Sequence, residues 1–389
     1  MIAYLLLLLL VLALLGAGAA TASHYGNRSG ATLFDVAAVA VLATFSAVRY
    51  GVGTDFWAYQ AMYVSKVTPG HWSGSWEYSG HDVGYLTLEY AARTFGLSYP
   101  AWIAVLAVLT VSMACAGLWL LAREHSPRAT LILYVLLSVY AAPMNMQRQG
   151  LAIATGLLAV GLFSIGRKVL PVVLALAACS FHYSAVIAAA ALIGLIVVSA
   201  SPSVKMRWSG VGLGLVAIPV AVLVFAPVIG AAADEVATRY SDYLGTSEAG
   251  TGTLVGIAFR ILALLALFLI FRRAGRMGEP EIFILFSAVL LGVTFMTLGL
   301  TSMVLSRMDF YFIPALTLLI PIAARSVRIE GLAPNIVTAV AVPGLWAASF
   351  AYFIAYLVSF DNLLPYRVNA SVLAPWPGPF TAALIRGIS

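Results

Sequence analysis

Residues 1–20 read MIAYLLLLLLVLALLGAGAA, an apolar run that matches the roughly 20 residues a helix needs to cross a lipid bilayer. No lysine or arginine precedes the run, so the positively charged start of a signal peptide is missing, and we predict a retained first helix. Similar runs recur almost to the C-terminus of a chain that is 62% hydrophobic and 9% charged, with a mean hydropathy of +1.00. The sequence therefore predicts an all-α integral membrane protein with a single polytopic domain over residues 1–389.

The apolar runs predict about 12 transmembrane segments, several of which are too short for a straight crossing. One run ends at Pro143, and residues 169–200 are interrupted by Ser180-Phe181-His182-Tyr183-Ser184. Non-helical backbone at membrane depth is tolerated where it lines a cavity or is covered by protein, so this break is a candidate wall of a site. We place the segments at about 3–20, 31–48, 100–122, 129–142, 150–166, 169–181, 184–200, 209–230, 253–271, 280–300, 308–325 and 334–358.

The distribution of charge predicts the orientation of the chain in the membrane. When the connectors are taken alternately, one set holds 12 of the 21 basic residues and only 5 of the 15 acidic residues. Positively charged connectors remain in the cytoplasm, so both termini are expected on the extracytoplasmic side. The pI of about 9.3 then reflects membrane orientation and does not indicate a nucleic-acid partner. The long extracytoplasmic segments are predicted at 49–99, 231–252 and 359–389.

The stretch RYGVGTDFWAYQAMY, Arg49 to Tyr63, carries a cation, a carboxylate and several aromatic rings in this apolar chain. Asp55 and Tyr59 are four residues apart and share a face if the segment after Thr54 is helical. The stretch is predicted at the outer face of the membrane. We therefore expect it to contribute to a functional site.

Two further polar positions interrupt apolar helices on the same predicted face. Arg148 follows Pro143 and opens a helix, whose free N–H groups favour an anion. Its simpler interpretation is an interfacial arginine with its charge directed toward water. His182 is either a structural histidine at a kink, hydrogen-bonded to a carbonyl, or a proton carrier or donor to a phosphate oxygen.

Arg307 lies between strongly apolar runs and needs a partner for its charge. Asp309 is two residues away, and residues at that spacing diverge on a helix. A carboxylate from another segment or an anionic ligand is the better candidate for Arg307.

The loop over residues 64–99 is rich in aromatic residues, including Trp72 and Trp76. Such residues form interfacial belts in membrane proteins, and they also stack on sugar rings. The acidic residues and histidines of the loop fit no known metal-ligand spacing, and both cysteines lie inside apolar runs. Nucleotide-binding and hydrolase motifs are missing as well, which argues against ATP-driven transport by this chain alone.

The order and spacing of these motifs resemble the EpsG family of Wzy-like polymerases, which make bacterial exopolysaccharides and O-antigens. The resemblance spans about residues 49–312 and implies a GT-C-like membrane glycosyltransferase. The motifs that carry it are Arg49, Gly53-Thr54-Asp55, Tyr59, Gly84-Tyr85, Arg148-Gln149, Phe181-His182, Ser184, Arg307 and Tyr311-Phe312.

The resemblance implies a multi-pass enzyme of the bacterial inner (cytoplasmic) membrane with an extracytoplasmic active site. It would transfer a glycan from undecaprenyl pyrophosphate to the sugar of a second lipid-linked oligosaccharide. Arginine grips phosphate oxygens and stays charged, so Arg148 and Arg307 are expected to bind the pyrophosphate, with Arg49 joining them or orienting Asp55. Either Asp55 or His182 would be the catalytic base. The resemblance also implies that arginines take the place of a divalent ion, so we predict neither a metal nor a cofactor. The residues expected to contact the glycan are Tyr59, Trp72, Trp76, Tyr85, Gln149 and Tyr311.

Membrane lipid and a chain-length regulator or other assembly proteins are the remaining expected partners, and no nucleic acid is expected. Two other functions compete with polymerisation. A lipid-linked oligosaccharide flippase or other secondary transporter would also use broken helices and buried charges, although no internal repeat is evident here. A glycan ligase or an acyltransferase would share the same arrangement of arginine and histidine.

Overall fold

A computed structural model describes residues 1–65, 67, 82–201, 203–204, 207–209, 251–300, 303–329, 336–359 and 362–369. Within these ranges the chain forms α-helices and three short 3₁₀ turns, with no β-strand. Numbered along the chain, the helices are α1 (Ile2–Tyr25), α2 (Arg28–Ala47), α3 (Phe56–Ser65), α4 (Val83–Thr94), α5 (Tyr99–Leu121), α6 (Pro127–Leu136), α7 (Gln147–Ser164), α8 (Val169–Phe181), α9 (Ser184–Ser199), α10 (Thr251–Arg273), α11 (Pro280–Leu298), α12 (Met303–Arg307), α13 (Pro314–Ile329) and α14 (Ile336–Ser359).

The all-helical membrane class is confirmed, since six of the described helices are long and apolar enough to cross a membrane. A seventh span results if Leu305–Tyr311 and Pro314–Val327, which bend by 44°, are taken as one. Three further apolar helices, α6, α8 and α9, are shorter. The twelve-segment count and the orientation of the termini stay predictions. The predicted segment at 209–230 lies outside the described residues from its second residue onward.

Several predicted boundaries changed for local reasons. The segment expected at 129–142 is helical only to Leu136, because Ser138 adopts a positive φ of 59° and the chain then turns into the 3₁₀ turn Ala142–Met144. The helix expected from residue 150 begins earlier, at Gln147. The predicted outer segment 49–99 contains two helices, α3 and α4. The helix that follows Thr54 is therefore confirmed.

The chain divides into two compact units, the first made of Met1–Ala185 with Leu357–Ser389 and the second of Val186–Tyr356. In the first unit, α5 packs against α2 and α7, while α1 packs on α2 and α7 packs on α8. In the second unit, α11 packs against α10 and α13.

Two glycines allow α5 and α7 to cross at very short distance. A Cβ atom on Gly161 of α7 would lie 2.7 Å from the carbonyl oxygen of Gly117 on α5. A Cβ on Gly117 would lie 2.6 Å from the backbone nitrogen of Leu158. Small residues at a crossing let helix backbones approach in a membrane, where close packing drives helix association. This crossing fixes α7 on α5 and thereby places the start of α7.

We expect Gly117→Ala to destabilise the protein, because the new methyl group meets backbone atoms that cannot rotate away. Overpacking of this kind costs about 1–3 kcal/mol. The matched control is Gly156→Ala on α7, where a Cβ meets no atom within 4 Å. That change is expected to be neutral or stabilising, since alanine favours a helix by about 1 kcal/mol over glycine. Thermal unfolding in detergent measures both; equal melting temperatures would contradict the close crossing.

A partly buried ion pair joins α2 to α6. The Arg128 guanidinium donates from Nε to Asp35 Oδ1 at 2.7 Å and from Nη2 to Asp35 Oδ2 at 2.8 Å. This two-point geometry is the strong form of the arginine–carboxylate pair. Gly18 of α1 lies against it, because a Cβ there would be 3.0 Å from Asp35 Oδ1. The pair therefore joins α2 to α6 at a point where both lie beside Gly18 of α1.

Candidate functional site

One carboxylate of the first unit binds both an arginine and a histidine. Asp82 Oδ2 accepts from Arg148 Nη1 at 2.7 Å, and the Nδ1 atom of His182 lies 3.3 Å from Oδ1. The Asp82 side chain is only 5% exposed, whereas those of Arg148 and His182 remain 23% and 22% exposed. The cluster therefore contains a covered carboxylate that holds a cation and an imidazole, both of which stay partly accessible.

Each of these three residues lies at a helix end. Asp82 precedes α4, Arg148 is the second residue of α7, and His182 directly follows α8. His182 has an extended backbone, with φ −158° and ψ 120°, which confirms the predicted break between α8 and α9. The next residue, Tyr183, donates its backbone N–H to Asp82 Oδ1 at 3.3 Å. The break therefore directs both a side chain and a backbone donor at Asp82.

A glycine explains the close approach of α4 to the end of α8. A Cβ atom at Gly84 would lie 2.9 Å from the Cβ of Ser180 and 2.9 Å from the Phe181 ring. Only glycine fits between the helices at this distance. Asp82 is two residues before this contact, so the packing brings its carboxylate to His182.

The carboxylate determines which nitrogen of His182 can act as a base. Nδ1 faces Asp82 Oδ1 and Oδ2 at 3.3 and 3.4 Å, so the favoured tautomer carries its proton on Nδ1. The lone pair then lies on Nε2, on the opposite side of the ring. A carboxylate in this position also stabilises the imidazolium that forms when Nε2 accepts a proton. This is the chemistry of a general base.

Arg148 also contacts the aromatic residues predicted to surround it. Its Cζ atom lies 5.5 Å from the centroid of the Tyr59 ring, which is a cation–π distance. Tyr59, Tyr85 and Gln149 are 8%, 2% and 4% exposed. In this structure they support the Arg148 region and present little free surface. Their predicted contact with a glycan stays a prediction.

A chain of hydrogen bonds links the helices around the start of α7. The Tyr85 hydroxyl donates to Gln147 Oε1 at 3.1 Å, and Gln147 Nε2 donates to the Tyr99 hydroxyl at 3.1 Å. The Tyr99 hydroxyl in turn donates to the Phe56 carbonyl oxygen at 3.2 Å. This chain connects α3, α4, α5 and α7 and fixes the residue directly before Arg148.

Asp55 lies beside the turn that leads into α7. Its backbone N–H donates to Asn145 Oδ1 at 2.8 Å. Gly53 has a φ of +98°, and a Cβ there would lie 3.0 Å from the Met144 carbonyl oxygen, so this position favours glycine. The Gly-Thr-Asp motif therefore packs against the 3₁₀ turn before Arg148. The role of Asp55 as a base stays a prediction. The contact between His182 and Asp82 favours His182 for that role.

Arg49 is almost fully enclosed, with 3% of its surface exposed. Its Nη1 donates to the Ser46 carbonyl oxygen at 2.6 Å and to Ser46 Oγ at 3.1 Å, while its Nε has no hydrogen-bond partner within the described part of the chain. A single antiparallel bridge joins Arg49 to Val368. This environment supports a role in fastening the 362–369 segment. The predicted pyrophosphate contact of Arg49 is not tested by it.

The predicted arginine of the second unit, Arg307, ends α12 and is partly buried. Tyr311, three residues after Met308, closes the 3₁₀ turn that follows and is also partly buried. Asp309 in this turn pairs with Arg260 of α10, in agreement with the expectation that it does not serve Arg307. Arg260 Nε donates to Asp309 Oδ1 at 3.1 Å, and its Nη2 also contacts Asp309 Oδ2 and the Tyr352 hydroxyl.

The prediction from the sequence assigned no role to three residues that the structure places in buried polar contacts or beside the site. Asp82 was noted only with the other acidic residues and the histidines of the aromatic loop, although it lies two residues before the Gly84-Tyr85 motif. Arg260 was overlooked inside an apolar run, where a lone arginine indicates a buried partner. Glu89 was counted among the residues of the loop and was given no role, because α4 was read as part of that loop.

Parts of the predicted site lie outside the described residues, including Trp72 and Trp76. Within the described ranges no group of three or more His, Cys, Asp or Glu residues could hold a metal ion. Since His71, Glu77 and His81 are not among them, the expected absence of a metal stays a prediction.

Comparison with known proteins identifies the family. No curated protein and no solved structure that we compared with the chain gave a match. The model of the EpsG family matches residues 32–368. This range contains Asp82, Arg148, His182 and Arg307. Because the match covers most of the chain, the protein belongs to the EpsG family.

Proposed function

We propose that this protein polymerises lipid-linked polysaccharide repeat units on the extracytoplasmic side of the bacterial inner membrane. It would transfer the glycan of one undecaprenyl-pyrophosphate-linked oligosaccharide to a sugar hydroxyl of another. Family membership supports a role in polysaccharide polymerisation. The observation that carries the specific reaction is the Asp82 carboxylate, which holds a partly exposed arginine beside a partly exposed histidine.

The reaction needs a base for the acceptor hydroxyl. In the proposed step His182 Nε2 takes the proton of that hydroxyl, and its oxygen attacks the anomeric carbon of the donor glycan. Asp82 stabilises the resulting imidazolium through Nδ1. The bond between the anomeric carbon and the phosphate oxygen breaks, and undecaprenyl pyrophosphate leaves with the bonding electrons. A single displacement of this kind inverts the anomeric configuration.

The leaving group needs a cation. Negative charge develops on the pyrophosphate as the glycosidic bond breaks, and a preorganised arginine stabilises it. The guanidinium of Arg148 has five N–H donors, and its contacts to Asp82 and Tyr59 occupy only part of them. Pyrophosphate is already a good leaving group, so this mechanism requires no general acid. The expected pyrophosphate contact of Arg307, which lies in the second unit, stays a separate prediction from the sequence.

The polymerase proposal is tested by incubating purified protein in lipid nanodiscs with a single lipid-linked repeat unit. We expect a ladder of longer glycans on a gel. His182→Gln should slow ladder formation by about 10²-fold or more, because general-base catalysis contributes at least that much. His24→Gln, at the exposed end of α1, is the matched control and should retain the wild-type rate.

Other outcomes would support the competing functions. Repeat units that remain single under all conditions would overturn the polymerase proposal. Transfer of intact units across a vesicle membrane without elongation would instead identify a flippase. Attachment of the glycan to an unrelated acceptor would identify a ligase.

A further inference from the structure

Glu89 is a buried carboxyl group beside the candidate site that the proposed mechanism does not use. It lies on α4, one helical turn after Tyr85, so both side chains share a face. Glu89 is 3% exposed, and its Oε1 atom has no hydrogen-bond partner in the ranges that the structure covers. A buried carboxylate with an unpaired oxygen is unfavourable. Burying the neutral, protonated acid costs much less free energy than burying the carboxylate.

The direction of the neighbouring hydrogen bonds supports the protonated form. The Phe56 carbonyl can only accept, so Tyr99 must donate to it and must itself accept from Gln147 Nε2. Gln147 Oε1 is then left facing Tyr85, which must donate its only proton to it. Tyr85 therefore offers the neighbouring Glu89 a lone pair and no donor. Only a protonated carboxyl can donate to that lone pair.

The electrostatic surroundings agree with this assignment. Burial raises the pKa of Glu89 to about 8, even though the Arg148 charge favours the ionised form. The titratable and charged groups around Glu89 come from four helices: Tyr63 of α3, Tyr85 and Arg93 of α4, Tyr99 of α5 and Arg148 of α7.

We propose that Glu89 is a positioning residue whose protonated form keeps Arg148 in its working place. The inference rests on the proposed polymerase function. When Glu89 loses its proton, the carboxylate attracts the Tyr85 hydroxyl proton, and Gln147 Oε1 loses its donor. Gln147 directly precedes Arg148 in the first turn of α7, so the disturbance reaches the proposed pyrophosphate ligand. The new negative charge also competes with Asp82 for the Arg148 guanidinium.

The sign of the pH dependence follows from the raised pKa. The working form of Glu89 is protonated. The polymerisation rate should therefore be at its maximum well below pH 8 and should fall as the pH rises through about 8. We expect the wild-type polymerisation rate to fall about tenfold between pH 7 and pH 9. Glu89→Gln is always neutral and can still donate to Tyr85, so its rate should stay level over this range. Glu124→Gln, an exposed glutamate, is the matched control and should follow the wild type.

A second measurement separates this inference from the proposed function. Infrared difference spectra of the protein in nanodiscs between pH 7 and pH 9 should show the loss of a protonated carboxyl band, and Glu89→Gln should lack that signal. If the band titrates while the wild type makes no polymer, the polymerase proposal fails and the protonated Glu89 stands. If no such band exists at pH 7, or if Glu89→Gln keeps the alkaline loss of rate, the positioning role is overturned.

Discussion

Replacing Arg148 with alanine is expected to reduce polymer formation by about 10²–10³-fold, the usual effect of removing one preorganised group that stabilises developing negative charge. The change also leaves Asp82 with His182 as its one described side-chain ion-pair partner. Arg148→Lys should recover little of the rate, because an ammonium group keeps the charge but lacks the planar fork that grips two phosphate oxygens. The rate of ladder formation with a lipid-linked repeat unit measures both variants.

The control for this prediction is Arg123→Ala. Arg123 is 42% exposed and pairs with the neighbouring Glu124, so its loss should leave the rate unchanged. Thermal unfolding of each variant establishes that the protein is folded. A folded Arg148→Ala variant with the wild-type rate would remove Arg148 from the mechanism. The proposed contact with the leaving group would then have to be assigned to another cation.

Removing Asp309 should cost the most stability of any change considered for the second unit. The Arg260 and Asp309 side chains are only 1% and 3% exposed. Asp309→Ala leaves the Arg260 charge buried without its carboxylate, and breaking a buried pair in this way costs about 3–5 kcal/mol. The remaining described contacts of Arg260, to the Gly256 carbonyl and to the hydroxyl and ring of Tyr352, are with neutral groups and cannot replace the carboxylate charge.

A double variant separates two causes of the lost stability, the unpaired charge of Arg260 and the lost packing of the Asp309 side chain. In Arg260→Met/Asp309→Ala no charge is left unpaired, so most of the lost stability should return. Glu279→Gln is the control, because Glu279 pairs with Arg276 at a site that is 43% exposed and should cost at most about 1 kcal/mol. Thermal unfolding in detergent measures all three variants. A double variant as unstable as Asp309→Ala would show that the charge is not the cause.

The positions of the helices could be predicted from the sequence because hydropathy reports directly on burial in lipid. The predicted boundaries of α5, α8 and α11 lie within two residues of those observed. The predicted end of α6 was wrong, since the predicted segment continued to residue 142 while Ser138 already leaves the helix through a positive φ. A positive φ at a serine has no hydropathy signal.

The candidate site was predicted only in part, because ion-pair partners are chosen by packing between distant segments. Arg148 and His182 were identified as polar breaks in apolar runs. Their shared partner Asp82 was not, since its role depends on the contact of Gly84 with the end of α8. The role of Glu89 needs still more information, because its protonation follows from the direction of three hydrogen bonds that join residues of four helices.

The shared carboxylate also has a consequence for biosynthesis. Asp82 is separated by 66 residues from Arg148 and by 100 residues from His182. A nascent chain emerges from the ribosome in order, so the carboxylate and the arginine are synthesised well before the imidazole. The contact between Asp82 and His182 cannot form until α8 has been inserted and has packed on α4. The cluster of Asp82, Arg148 and His182 is therefore complete only after α1 to α8 have all been synthesised.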